Sequence, residues 1–338
     1  MVTIKEIATA VGVSSATVSR VLNFDATLSI TAKKRQKIIE TAEALNYATP
    51  RARNRASQQG LSRVALVHFL SPDQELVDPY YVGLRLGIER RCAALKIETL
   101  KVYHTNEMPD AALLQSVSGV IAIGRQDDNE IAWLRRHSRN LVFADFAPKD
   151  DEVDSVESDL VVATRKLLQA LTAMGYKRIG FVGWDDVYNG VKRALPEKRA
   201  RAYMQWMSEH GLFDERMCRT DNNTEESGYR LTLQILRERT PPDAIITCND
   251  NMAVGAYRAI AELGLSIPRD IAVASFNDIS VAQFLNPPLS TVRLPSEEIG
   301  ETAVEMLMER ASGRELAKHI TLASQLKWRA STRHPDGE

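Results

Sequence analysis

The sequence predicts an α/β protein in two parts: a small all-α helix-turn-helix head and a larger two-lobed body of doubly wound parallel sheets. Three observations predict it. The chain has 338 residues, about twice the usual length of one domain. Its hydrophobic spacing changes near residue 62, from short helical repeats to strand-like runs alternating with helical ones. Its charge is also unevenly divided. Residues 1–60 hold nine Lys/Arg against four Asp/Glu, or +5, whereas the rest of the chain carries −6 and the whole only −1. A basic head on an acidic body suggests that one part meets a polyanion while the other does something else.

The head has three short helices in order. Thr3-Ile4-Lys5-Glu6 reads as a capping box, and Ile4, Ile7, Ala8 and Val11 follow at the spacing of one helical face. Gly12 ends that helix, because the turn favours a residue able to take positive φ, and Val13 tucks beneath it. Ser14 or Ser15 caps a second helix running to about Asn23, with Val18, Val21 and Leu22 inward. A third runs from near Thr31 to Leu45 and buries Ile38, Ile39, Ala42 and Leu45. Two helices joined by a short glycine turn make a helix-turn-helix, whose second helix lies in the DNA major groove. The outward residues of that helix are Ser15, Ala16, Thr17, Ser19, Arg20 and Asn23. Small residues let it sit deep, hydroxyls and amides reach phosphates, and Arg20 suits bidentate pairing with guanine.

From residue 62 onward, strand-like runs appear at Val64–Leu70, Gly119–Gly124, Leu141–Asp145, Ile179–Gly183, Ala244–Asn249 and Ile271–Asn277. Amphipathic stretches separate them, for example Tyr81, Leu84, Ile88, Cys92 and Leu95. Such βαβ alternation predicts parallel sheets, and the units are too many for one, so two lobes with a crevice at the strand C-termini are expected. His319–Thr332 reads as returning strands.

Composition and motifs narrow the function. A hydrophobic share of 44% with 26% charged residues is that of a globular protein. Cys92, Cys218 and Cys248 are too few and too scattered for a disulfide framework or a Cys-x-x-Cys zinc site. The charged start lacks the apolar stretch of a secretory leader, and no apolar run suffices for a membrane helix, so a cytoplasmic location is expected. Dinucleotide and Walker loops, Gly-x-Ser-x-Gly and His-Glu-x-x-His are absent, and the six histidines lack ligand spacing. Asp150-Asp151 and Asp185-Asp186 are adjacent pairs, a poor arrangement for an acid–base couple. No catalytic residue, metal or cofactor is expected.

The run Ile4-Lys5-Glu6-Ile7-Ala8, Gly12-Val13-Ser14 and Thr17-Val18-Ser19-Arg20-Val21-Leu22-Asn23 closely resembles the N-terminal signature of the LacI/GalR family of bacterial transcriptional regulators. Leu45-Asn46-Tyr47 matches the family's end to its third helix. In the body, Asn249-Asp250-x-Met252-Ala253-x-Gly255, Phe276-Asn277-Asp278 and Pro287–Val292 match further recurring segments. The resemblance implies a helix-turn-helix domain at 1–47, a hinge at 48–62 and a periplasmic-binding-protein-like effector and dimerisation domain at 63–338. It implies double-stranded operator DNA, a small sugar effector and a second copy of the chain as partners, no membrane, and location at the nucleoid when operator-bound. DNA contact is assigned to Thr3, Ser14, Ser15, Ala16, Thr17, Ser19, Arg20 and Asn23, and in the hinge to Arg53, Arg55 and Ala56. Many members wedge a leucine into the minor groove, where this chain has Ala56; the flanking arginines are expected to supply groove and phosphate charge instead.

The same resemblance assigns effector contact to Tyr80, Tyr81, Asp145, Arg199, Asn249 and Asn277. Trp184, a local feature, is added as a platform for a sugar ring. The residues alone leave alternatives open. Asn249 and Asp250 also suit a helix N-cap, Trp184 a core or rim position, Arg199 a solvated face, and Asp278 a structural role. The glycine usual three residues after the arginine is replaced by Ala202. Within the family, the spacer Phe24–Ile30, Asp78-Pro79-Tyr80-Tyr81 with Gly87-Ile88-Glu89, and Asn277-Asp278-Ile279 resemble a galactoside-responsive member, and that resemblance implies a β-galactoside such as lactose as inducer. No C-terminal leucine heptad follows the last strands, so a dimer is expected. A sugar-binding transport component and an α/β enzyme fused to a DNA-binding module are the competing classes.

Overall fold

The computed structural model describes residues 4–22, 28, 30–44, 61–103, 110–185, 187–188, 191–192 and 196–334. They form a small head and a large body. The head holds α1 (Ile4–Val11), α2 (Ser15–Leu22) and α3 (Ala32–Ala44). Ile7, Ala8, Val18, Val21, Ile38 and Ala42 form its core, with Val13 and Ile39 packed against them. Gly12 takes φ 72°, and its amide and that of Val13 both donate to the Ala8 carbonyl. The expected three helices are therefore present. The Thr3 cap, Leu45-Asn46-Tyr47 and residues 48–60 of the expected hinge lie outside the described residues.

The body begins with β1 (Arg63–His68), α4 (Pro72–Leu76), α5 (Pro79–Ala94), β2 (Glu98–Val102), α6 (Ala111–Gln115), β3 (Gly119–Ile123), α7 (Asp128–His137), β4 (Leu141–Ala144) and β5 (Asp154–Ser158). The chain then crosses to a second lobe of α8 (Leu160–Ala173), β6 (Ile179–Trp184), the two-residue strands β7 (Val187–Tyr188) and β8 (Val191–Lys192), α9 (Lys198–Glu209), β9 (Cys218–Asp221), α10 (Glu225–Leu236), β10 (Ala244–Thr247), α11 (Asp250–Glu262), β11 (Ala272–Asn277) and β12 (Ser290–Arg293). It returns to the first lobe as α12 (Ser296–Ala311) and β13 (His319–Leu322), then closes the second with β14 (Gln325–Lys327).

The first sheet runs β13-β5-β4-β3-β1-β2, all parallel. The second runs β14-β12-β11-β10-β6-β9, parallel except for β14. Both reverse direction beside their first strand, and the carboxyl ends of strands at such a switch point are where open α/β sheets bind ligands. The strand-like runs expected from the sequence all fall on strands, buried on both faces as parallel sheets require. Asp154, fully buried on β5, accepts from Arg310 Nε of α12 at 2.7 Å and from the Lys318 amide at 2.6 Å, tying the returning helix to the first sheet.

Candidate functional site

In the head, the Ser14 hydroxyl accepts from the Thr17 amide at 3.1 Å and caps α2, while Ser14 Oγ and Thr17 Oγ1 lie 2.8 Å apart. Burying Val18 and Val21 fixes the helix's rotation, so Ser15, Ala16 and Arg20 are exposed and Thr17 and Ser19 half-buried. A short helix with small residues first and an arginine one turn later can enter a groove. Thr3, Asn23, Arg53, Arg55 and Ala56 lie outside the described residues.

In the body, Tyr80, Tyr81, Asp145, Trp184, Arg199, Asn249 and Asn277 all line one cleft of about 660 Å³. Four come from the carboxyl ends of strands. On the first lobe, Asp145 follows β4 with φ 61°. Its Oδ1 accepts from the Tyr80 hydroxyl at 2.8 Å and its Oδ2 from the Tyr81 hydroxyl at 3.0 Å. The tyrosines open α5, where Asp78 caps the helix by accepting from the Tyr80 amide at 3.2 Å. Burial pushes the Asp145 carboxyl up to about 6, against the two phenolic donors, and likewise pushes Asp78 up to about 6.

On the second lobe, Arg199 opens α9 but is buried, not solvated. Its Nε donates to Glu197 Oε1 at 3.0 Å and its Nη1 to the Cys248 carbonyl at 2.6 Å, with the Phe276 ring 5.6 Å from the guanidinium carbon. Burial opposes its charge, and the Glu197 carboxylate more than offsets that, so it stays protonated. Trp184 ends β6, half-buried at the wall. Asn249 caps α11, its Oδ1 accepting from the Met252 amide at 2.9 Å, and its amide nitrogen donates to Asn223, which also lines the cleft.

Asn277 and Asp278 take φ 106° and 58°, a left-handed pair that costs free energy for residues with side chains. Two groups hold it. Arg329 Nη2 donates to Asp278 Oδ1 at 2.7 Å, giving Asp278 a structural role. Asp250 is not a cap: fully buried behind the turn, it accepts from the Ile279 amide and the Thr291 hydroxyl, each at 2.8 Å. Burial pushes its carboxyl up to about 7.

Sequence reasoning missed several lining residues: Gln74, Val77, Asp185, Asn222, Asn223 and Asn251. Asn222-Asn223-Thr224 carried a usable signal, since a polar cluster ahead of a helix marks a strand-to-helix loop, and Thr224 indeed caps α10. The cleft can thus surround a polyhydroxylated molecule, with an acid and an arginine on opposite lobes, amides beneath and aromatic faces beside. Among the described residues, no group of three His, Cys, Asp or Glu side chains could hold a metal ion. None of their helices is long and apolar enough to cross a membrane.

Comparison with known proteins places these two parts. Residues 3–50 match the bacterial regulatory proteins of the lacI family, and residues 168–332 match the periplasmic binding protein-like domain. The HTH-type transcriptional repressor MelR of Bacillus subtilis is 35% identical over 98% of this chain and 97% of its own length. A lactose operon repressor of Rhizobium radiobacter is 58% identical over 110 residues, 32% of this chain and 97% of that sequence. A crystal structure of the Lac repressor bound to ONPG in the repressed state is 25% identical, with a TM-score of 0.68 over 98% of this chain and 99% of that one.

Proposed function

The chain belongs to the lacI family of bacterial regulatory proteins, and from that premise we propose that its effector is a β-galactoside that releases it from its operator. It is a DNA-binding transcriptional repressor with a sugar-binding domain. The observation that carries the effector reading is the cleft itself, in which Asp145 and Arg199 face one cavity from opposite lobes. Two sequence features support the galactoside. One is the 58% identity to a lactose operon repressor. The other is a resemblance to the repressor of the evolved β-galactosidase operon, carried by Phe24–Ile30, Asp78-Pro79-Tyr80-Tyr81 and Asn277-Asp278-Ile279.

One recognition helix reads only a few base pairs, so the proposal includes a homodimer on a two-fold operator, acting in the cytoplasm. Ser15, Ala16 and Arg20 select the sequence; Arg53 and Arg55 add groove charge. The test is a mobility-shift titration of the full chain on the DNA upstream of its gene, with and without lactose and at several salt concentrations. Expected are salt-sensitive binding, release by the galactoside, and a log–log salt slope lowered by about one in Arg53→Ala. Galactoside-independent binding would discard the effector, and tightening by galactoside would reverse the sign of regulation.

A further inference from the structure

The charges lining the cleft are unequal. Among its described lining residues the acids are Asp78, Asp145 and Asp185, and the cation is Arg199. Asp78 and Asp145, raised only to about 6, are ionised at pH 7.5. A lone arginine would still give an anionic ligand one favourable partner. Here its charge is already answered from behind. Glu197 stands two residues earlier, and the side chains of Arg199 and Glu197 are only 10% and 8% exposed. At 3.0 Å, with little water to screen either partner, the carboxylate cancels most of the field that the guanidinium would project into the cavity.

Glu197 holds the arginine in two ways. Its Oε2 accepts from the Arg199 amide at 2.8 Å and caps α9, while its Oε1 accepts from Arg199 Nε. Capping alone favours the shorter Asp, Asn, Ser or Thr, so the cap does not account for a glutamate here. The Cys248 carbonyl accepts from Nη1 at 2.6 Å. With Nε taken, the side-on fork that grips a carboxylate through two parallel bonds is closed to a ligand. Nη2 donates to none of the described residues, which leaves it for a single ligand oxygen.

We propose that Glu197 determines specificity through Arg199: it neutralises the arginine and occupies its fork, so that the cleft admits an uncharged sugar and turns away one bearing a carboxylate. Glu197 is a positioning residue, acting on the ligand only through the arginine. Its role rests on the galactoside reading above, since galactose is the sugar whose charge is varied.

The experiment is calorimetric titration of the full-length protein at pH 7.5 with galactose and with galacturonate, which carries a carboxylate in place of the hydroxymethyl group. The wild type should bind galactose at least roughly 30-fold more tightly. Glu197→Gln keeps the length and an acceptor but removes the charge. It should cut that ratio roughly tenfold or more, chiefly by binding galacturonate better. The exchanged group on the sugar is common to both proteins, so the shift in ratio reports charge. Glu197→Asp keeps the carboxylate and should keep the ratio. Glu209→Gln makes the same change in net charge on the same helix, where it frees the exposed Arg165 outside the cavity lining, and should keep it too. Galacturonate bound by the wild type as tightly as galactose, or more so, overturns the role of Glu197, and this result needs no variant to fold. Galacturonate binding that does not improve in Glu197→Gln also overturns it. So does an equal fall in ratio in Glu197→Asp or Glu209→Gln, and all three results leave the galactoside reading standing. Failure of the wild type to bind either sugar overturns that reading as well.

Discussion

Asp145 has both carboxylate oxygens engaged by Tyr80 and Tyr81, and its backbone is left-handed. A ligand hydroxyl that reached Asp145 would compete for, or add to, acceptors already in use, and the two phenols are bound to the acid as one unit. The carboxyl also titrates unusually. Burial raises it from 3.8 to about 6, so between those values the folded chain holds a proton that the unfolded chain releases. The stabilising contribution is complete below about pH 4 and is lost as pH rises through 6, a change of up to about 3 kcal/mol. Asp145→Asn removes the titration while keeping the shape. Relative to wild type, the variant should gain about 2 kcal/mol of stability as pH goes from 4.5 to 7.5, measured by denaturant unfolding of the full chain at both values. His68, held down to about 4 chiefly by burial, pulls the other way because the folded chain resists its protonation between 6.5 and 4. It is common to both proteins and cancels in their difference. A stability gap independent of pH would rule out a raised Asp145 carboxyl.

Between α10 and α11 the decisive feature is backbone contact. A Cβ on Gly255 would lie 1.9 Å from the Glu225 carbonyl oxygen and 2.5 Å from the Tyr229 nitrogen; one on Gly228 would lie 2.2 Å from the Met252 oxygen. Two opposing effects meet at such a site. Glycine inside a helix costs about 0.5–1 kcal/mol relative to alanine, whereas overpacking with no flexible neighbour to yield costs about 1–3 kcal/mol or more. The second wins. Gly255→Ala should lower the melting temperature by several degrees, and because α11 carries Asn249 and Asn251 at its start, it should also weaken effector binding. Gly83→Ala on α5 is the contrast, since its nearest neighbour is the rotatable Ser296 hydroxyl at 2.9 Å, and there propensity should prevail or break even. Thermal melts of the two variants check the pair; a Gly255→Ala protein as stable as wild type would refute the packing argument. This contact also explains part of what was legible in the sequence, because Asn249-Asp250-x-Met252-Ala253-x-Gly255 marked a strand-to-helix turn without revealing that its glycine exists to admit a second helix.

At the scale of the molecule, the central strands were legible because a parallel sheet buries both faces and writes a continuous apolar run. In the two sheets β2, β5, β9 and the four-residue β12 were not. β2 and β9 are sheet edges whose Glu-Thr-Leu-Lys-Val and Cys-Arg-Thr-Asp stay partly exposed. β5 is buried but reads as polar, because Asp154 is satisfied by Arg310 of a helix far along the chain. With β9 unrecognised, Asn222 and Asn223 at its end went unplaced, whereas Asp145, Asn249 and Asn277 stood at the ends of visible strands. Val77 had no signal at all, since an exposed residue after a one-turn helix obeys no periodicity. The paired lobes have a further consequence for regulation. The described chain passes between them three times, at Ser158–Leu160, Arg293–Ser296 and Leu322–Gln325. The two lobes that line the cleft are thus joined by three crossover segments, which tie the spacing of one lobe to the other. If a change in that spacing is how the effector weakens operator binding, thermodynamic linkage requires the operator to weaken effector binding by the same factor, about 5- to 150-fold for typical coupling of 1–3 kcal/mol. Fluorescence titration with lactose, alone and with saturating operator duplex, measures one factor, and operator titration with and without saturating lactose measures the other. Equal factors are expected. Operator-independent lactose affinity in a protein whose DNA complex lactose dissociates would mean that release has another origin, such as direct competition at the DNA-binding head.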